Sequence, residues 1–499
     1  MKACAVITLL LMFALPLFPE ETGGGETESA AENAAAETDS NTAPADTESA
    51  TAGNAGTEKN GDAAPANTKN TGQKSVEEQR LETVRYGTEN EIASLIQTLK
   101  TENAVYLDDE LVALVRGTLN RNILTGVFTF FGDRGKIGLE ERALKAVTEW
   151  DGEANETIIA AIDYLGKVAN TDAIEPLKSL LNVEERRFNS SIFQALGRIA
   201  GAHEDLRDEI AVFLRDYYTD RVPADDTRRE IVSALGETGS SEIIPFLIDI
   251  AGNNDERSTI RMAAISALSK IGNPKGLPAI LEGVSSQDPN LRSTSVAALG
   301  PFSGPEVDHA ILEAFRDSYY RTRLGAAQAA GKRKLIEAIP YLAYRAEHDD
   351  TPAVKDESIR ALGEIGTEET IAIMDSLFSG RRTPDRVKIL CAEILLRERP
   401  DAFAAKIIAE TDDAKKRNQN TLYNGLLKAL GAAKTPALEN LAKRFLVSGG
   451  VTEKSYALDI IVNNRFISLV RDVEALLEDK NQSLSRKAQT SLAALRGRE

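Results

Sequence analysis

Between residues 158 and 497 one pattern recurs every 31 to 39 residues: an alanine-rich apolar segment, a Leu-Gly-like break, and a second apolar segment. Two of the copies read RREIVSALGETGSSEIIPFLIDIA and VKDESIRALGEIGTEETIAIMDSLF. The breaks fall at Gly166, Gly197, Gly236, Ser269, Gly300, Gly331, Gly363, Leu396, Gly431, Val462 and Arg496. Self-similarity at this period is the signature of a solenoid, in which each unit is one supersecondary element that cannot bury its apolar face alone. That excludes a single globular core for this part of the chain. Units must stack.

Each unit can be read from local chemistry. Ile231, Ala234 and Leu235, or Ile359, Leu362 and Ile365, fall at helical spacing and form one apolar stripe. Alanines such as Ala263, Ala264, Ala297, Ala298, Ala326, Ala327 and Ala361 fill the remainder, favouring helix and letting neighbouring helices approach closely. The glycine after the leucine is expected to supply the left-handed turn that ends the first helix. Pro176, Pro245, Pro278, Pro340 and Pro436 suit the first turn of the second. The expectation is an all-α solenoid of stacked antiparallel helix pairs. With helices spaced by about 8 to 10 Å it would extend on the order of 100 Å.

A second register runs through the repeats. Eight residues before the break stand Arg228, Arg261, Arg292, Arg323, Lys355 and Lys388 in consecutive units, each preceded at two to six residues by Asp226, Asp255, Asp288, Asp317, Asp350 or Asp385. With these features the chain resembles the HEAT-repeat family, in the short-repeat variety that includes the bilin lyases. In that variety acidic and basic loop residues form a ladder between units. The row of cations therefore has two readings, a structural ladder of ion pairs or a phosphate-binding track.

The N-terminal part is of another kind. Residues 1–19 begin MKACAVITLLLMFALPLF, one lysine followed by an apolar run that suits a secretory signal and is short for a membrane span. No Ala-x-Ala follows, so cleavage and retention as an anchor are both open. Cys4 precedes the apolar run, which argues against lipidation there. Residues 20–78 hold thirteen Asp and Glu against Lys59, Lys69 and Lys74, with almost no large apolar side chains. Such a segment is expected to be a disordered acidic linker, spanning roughly 40 to 45 Å as a flexible coil. With +1 from Lys2 and about −10 from the linker, the rest of the chain carries about −9 of the formal −18.

Residues 79–157 are expected to form irregular capping helices before repeats that run over 158–499. NEIASLIQTLK, DDELVALVRGTL and ERALKAVTEW show helical periodicity. ILTGVFTFF, at 123–131, is the most apolar stretch beyond the signal, and reads either as a buried segment of a terminal unit or as a loop that meets a membrane or partner. Pro400 to Asp413 interrupts the repeat and is expected to mark a helix of altered length.

No constellation for catalysis emerges. Cys4 and Cys391 are the two cysteines, and His203, His309 and His348 show no metal-ligand spacing. Glycine motifs for phosphate or a serine nucleophile are missing. Deoxyhypusine hydroxylase, a helical-repeat enzyme, holds iron through His-Glu dipeptides. Here His203-Glu204 is the single such dipeptide, and Glu347-His348 has the reverse order. No catalytic, cofactor or metal residue is assigned. The acidic pI of about 4.9 disfavours nucleic acid as a partner, although Arg321, Arg323, Lys332, Arg333 and Lys334 cluster locally.

Aromatic residues mark the candidate binding positions. FLRDYYTDR and FRDSYYRTR place Tyr217, Tyr218, Tyr319 and Tyr320 beside arginines at the ends of units, and Tyr341 and Tyr344 lie one turn apart on a second helix. Tyrosine and arginine anchor interfaces because they bury large area and keep a polar handle. By the resemblance, second helices line the concave face. The other reading is that these tyrosines plug gaps between units. The functional expectation is a non-enzymatic protein-interaction scaffold or assembly factor, exported to the periplasm or envelope of a bacterium, with a membrane tether if the signal is retained. The alternatives are a cofactor-handling or metal-dependent enzyme of the bilin-lyase or hydroxylase kind, and a structural protein associated with cell wall or membrane.

Overall fold

The computed structural model of the protein describes residues 75–181, 186–221 and 223–497. The signal or anchor, Cys4 and the acidic linker up to residue 74 lie outside the described residues. Within residues 75–497 the described residues form 26 α-helices joined by turns and short 3₁₀ segments. Helix α1 (Val76–Tyr86) starts inside the stretch read as linker. Ser75 and Glu78 form a capping box there, each satisfying the other's backbone N–H, and this overrides the polar composition.

The even-numbered helices form one layer in chain order: α2 (Glu89–Glu102), α4 (Arg121–Asp133), α6 (Asn155–Lys167), α8 (Asn189–Ala202), α10 (Asp225–Thr238), α12 (Ser258–Ile271) and α14 (Pro289–Ala298). It continues through α16 (Tyr320–Arg333), α18 (Pro352–Ile365), α20 (Asp385–Glu398), α22 (Asn420–Ala432), α24 (Val451–Asn464) and α26 (Gln482–Arg496). Each packs on the next. Between them run the second helices: α3 (Asp108–Gly117), α5 (Glu140–Thr148), α7 (Ile174–Leu180), α9 (Glu204–Arg221), α11 (Ile244–Gly252) and α13 (Leu277–Val284). The rest are α15 (Pro305–Ala314), α17 (Ile339–His348), α19 (Glu368–Ser379), α21 (Pro400–Lys416), α23 (Glu439–Ser448) and α25 (Val470–Glu474). The architecture is all-α, and the core is a strip of Leu, Ile, Val and Ala between the layers.

The break glycines do a different job from the one expected. Gly166, Gly197, Gly236, Gly331 and Gly363 lie within first helices, and where a left-handed residue follows such a helix it comes later, at Ala169, Gly239, Lys334 and Gly366. What the break glycine provides is closeness. A Cβ on Gly166 would stand 2.7 Å from Ala195 Cα, and one on Gly236 2.7 Å from Ala267 Cα, in the next first helix. A glycine facing an alanine thus forms a seam where adjacent first helices touch backbone to backbone.

The apolar segment 123–131 falls in α4, where Ile123, Leu124, Val127, Phe128, Phe130 and Phe131 are buried. Helices α2 and α4 carry the same layer towards the N-terminus. The interruption at Pro400 is the 17-residue α21, longer than the 12 residues of the preceding second helix α19. Among the described residues no helix is long and apolar enough to cross a membrane.

Candidate interaction surface and inter-unit ladder

The ladder cations are placed by the first turns of first helices. Arg292 on α14 donates from Nε and Nη2 to Asp317 at 2.6 and 2.9 Å, and from Nη1 to the carbonyls of Ser286 and Gln287 at 3.0 and 3.1 Å. Arg323 repeats the arrangement one unit on. It reaches both oxygens of Asp349 at 2.7 and 2.9 Å, Asp350 at 2.6 Å, and the carbonyls of Asp317 and Ser318 at 3.0 Å each. All five guanidinium donors are used. Each aspartate belongs to the loop that starts the next first helix, where it also accepts an amide two residues on: Tyr319 N to Asp317 at 2.7 Å and Thr351 N to Asp349 at 2.9 Å. One carboxylate therefore shapes its own turn and receives the previous unit's arginine. Burial pushes both carboxyls up, but the arginine fork and the amide outweigh it and hold Asp317 and Asp349 below the ordinary aspartate range.

Elsewhere the ladder changes partners. Arg228 donates to Glu256 and, at 2.7 Å, to the Tyr218 hydroxyl. Arg261 donates to the Ala251 carbonyl at 2.9 Å, while Asp288 of the next loop takes the Ser258 hydroxyl. Lys355 reaches the Glu347 carbonyl at 2.9 Å, and Lys388 reaches Glu410 at 3.1 Å. A further rung joins Lys454 to Asp479 at 3.1 Å. Lys454 lies eight residues before the break at Val462, so the register could have found it. At the equivalent position before Gly431, Tyr423 donates its hydroxyl to Glu453 at 2.7 Å.

The six tyrosines divide. Tyr218 is buried, its ring edge-on to Phe246 at 5.3 Å and its hydroxyl shared between Arg228 and Glu256. Tyr217 is partly buried against Phe193 and Phe213. These two fill a gap between units. Tyr319 and Tyr320 pack edge to face at 5.5 Å, with the Tyr319 hydroxyl donating to Asn290 and Arg321 donating to that of Tyr320. Tyr341 stacks on Phe315 at 5.6 Å and accepts from Arg316 at 3.3 Å. Tyr344 is 57% exposed, lies edge-on to His348 at 4.8 Å, and has the Arg345 guanidinium 5.4 Å from its ring centre. Arg345 also stands 3.5 Å from Asp349, which ties this aromatic surface to the buried rung.

Two members of the local basic cluster are taken up by acidic partners. Arg323 is spent on its rung, and Arg333 donates to Asp308 and to the Phe302 carbonyl. Cys391 is buried, and burial pushes its thiol up to about 12. His203 lies 2.9 Å from the Ala169 carbonyl. Among the described residues no three His, Cys, Asp or Glu side chains converge as metal ligands.

Two layers of antiparallel helices, repeated unit on unit and cross-linked by a charged ladder, define an α-solenoid. The particular kind follows from the sequence itself: residues 84–491 match the spirochaete HEAT repeat protein family, and the chain belongs to it. No curated protein matches. Solved structures similar to the chain include the crystal structure of Kap121p, at 12% identity and a TM-score of 0.42, covering 83% of this chain and 53% of that one. Importin beta in an ammonium sulfate condition shows 14% identity and a TM-score of 0.42, with 84% and 67% covered. Human deoxyhypusine hydroxylase in complex with glycerol shows 16% identity and a TM-score of 0.25, with 54% and 99% covered. The chain spans about half the length of Kap121p.

Proposed function

We propose that this chain is a non-enzymatic protein-interaction scaffold, exported to the bacterial cell envelope, whose partner docks on the second-helix surface at α15 and α17. One observation carries the reading. Arg316, Tyr341, Tyr344 and Arg345 form an arginine-framed aromatic cluster in which Tyr344 is more than half exposed and the arginines lie over the tyrosine rings. Such side chains bury large area on binding at low entropic cost and keep hydrogen-bonding groups at the rim. Rigid neighbours support it, since Tyr341 is stacked on Phe315 and Arg345 is held at the Arg323 rung. The apolar run after Lys2 supports export.

The test is crosslinking and capture from the cell envelope with the full chain, beside Tyr341→Ala/Tyr344→Ala. A discrete protein recovered with the parent chain and lost with the folded double variant supports the docking surface. Equal recovery with both would move the interface elsewhere, and fractionation of the native protein with cytoplasmic contents would remove the envelope assignment.

A further inference from the structure

The ladder contains a charge inversion. In two successive units the rung carboxylate stands six residues before the next ladder cation: Asp317 before Arg323, and Asp349 before Lys355. Six residues before Lys388 the chain has Arg382, preceded by Arg381. Asp385 keeps an acidic residue near the expected register, but it lies at the first residue of α20 rather than in the loop before it. Lys355 is thus presented with arginines where the previous cation meets an aspartate.

The consequence is a cleft of about 610 Å³ between α17, α18 and the loop joining α19 to α20, with Lys355, Arg381, Arg382 and His348 on its walls. Lys355 holds a backbone carbonyl. Among the described residues no carboxylate forms an ion pair with Lys355, Arg381 or Arg382. Glu347, on the rim, lies 3.7 Å from His348 and is itself 65% exposed. Lys355, Arg381 and Arg382 thus outnumber the one carboxylate at the cleft, Glu347, and a further anion between them relieves the remaining repulsion. The apolar sides of Leu377 and Val387 line the same cleft.

We infer that this cleft is a docking site for an acidic segment of a partner protein, one of whose carboxylates occupies the vacant rung. Three features select a peptide over a free anion. The volume exceeds what one carboxylate or phosphate fills; the cations come from α18 and from the α19–α20 loop and so are spread along a track; and the apolar lining is covered by side chains but not by an ion. The cleft adjoins the tyrosine cluster, since His348 on its wall lies edge-on to Tyr344, but the argument for it uses none of the tyrosines.

The experiment uses the full chain and fluorescein-labelled hexaglutamate, followed by fluorescence anisotropy at low and physiological salt. The parent chain binds, more weakly as salt rises. Arg382→Asp and Arg381→Ala/Arg382→Ala each lose about tenfold or more in affinity, whereas Arg471→Asp, an exposed change of the same charge on α25, leaves binding unaltered. Arg382→Asp also raises the thermal midpoint, because Lys355 gains its rung; this separates closing the site from damaging the fold. An equal loss with Arg471→Asp, or an unchanged midpoint with Arg382→Asp, overturns the vacant-rung assignment. Displacement of the label by inorganic phosphate as readily as by unlabelled hexaglutamate overturns the peptide assignment.

Discussion

Arg323 and Asp349, 26 residues apart, meet in a two-bond fork of 2.7 and 2.9 Å, with side-chain exposures of 7% and 0%. This pair lies between first helices of adjacent units, and every donor of the arginine is matched. Burial makes the pair costly to break from one side, whatever its net worth when intact.

Arg323→Met leaves Asp349 with the Thr351 amide and a more distant Arg345. It is expected to destabilise the α16–α18 junction by about 3 kcal/mol or more. Lys355→Ala, which removes one bond to a carbonyl, is expected to cost under about 1 kcal/mol. Hydrogen exchange resolved along the chain is the suitable measurement, since a repeat array can open unit by unit. Equal protection of α16 and α18 in both variants would contradict the ladder energetics.

Glycine substitutions on one layer should have opposite signs. At Gly236 a Cβ would strike Ala267, so Gly236→Ala is expected to destabilise by about 1 to 3 kcal/mol. Gly325, in the middle of α16, would place its Cβ 3.5 Å from Val296, an ordinary contact. Gly325→Ala is expected to stabilise by about 0.5 to 1 kcal/mol through helix propensity. Denaturation midpoints of the two variants decide the matter.

Acid should loosen the ladder. Asp317 and Asp349 are held below the ordinary aspartate range in the fold, while the unfolded chain titrates near about 3.9. The folded chain therefore binds fewer protons, so their stabilisation is fully present above the unfolded value and is lost as pH falls through the folded values. Asp317→Asn/Asp349→Asn is expected to be less stable at neutral pH and to show a flatter decline below about pH 4. Urea midpoints from neutral pH downwards test this; parallel curves for parent and variant would rule it out.

Cys391 offers a reporter of opening. Its thiol is buried in α20 and pushed up to about 12, so it carries almost no thiolate near neutral pH. Iodoacetamide is expected to leave it unmodified in the native chain and to alkylate it once α20 is released by denaturant. Rapid labelling without denaturant would show that this unit is open in solution.

Much of this architecture is legible from residue types at fixed spacing. Alanine stripes and a period of 31 to 39 residues specify helix pairs, and Arg292 and Arg323 are visible as a register. Other features depend on contacts across units. Asp349 and Asp350 are adjacent and both fall two to six residues before Lys355, so spacing does not choose between them, yet Asp349 takes the buried fork. The break glycines look like helix stops because the alanine that requires them, Ala195 for Gly166 or Ala267 for Gly236, belongs to the next unit. Arg382 escapes notice because Asp385 preserves the apparent pattern three residues later. Among the tyrosines, sequence places Tyr217 and Tyr218 side by side, but the helix turns Tyr218 into the interior and makes it part of the Arg228 rung.

The rungs at Arg292, Arg323 and Lys454 join residues only 25 or 26 positions apart. Closing such short loops costs little entropy and requires no distant part of the chain to be present. Assembly can therefore be vectorial: each unit is latched when the loop of its successor arrives, and a chain delivered from one end acquires its native clasps in the order in which it is delivered.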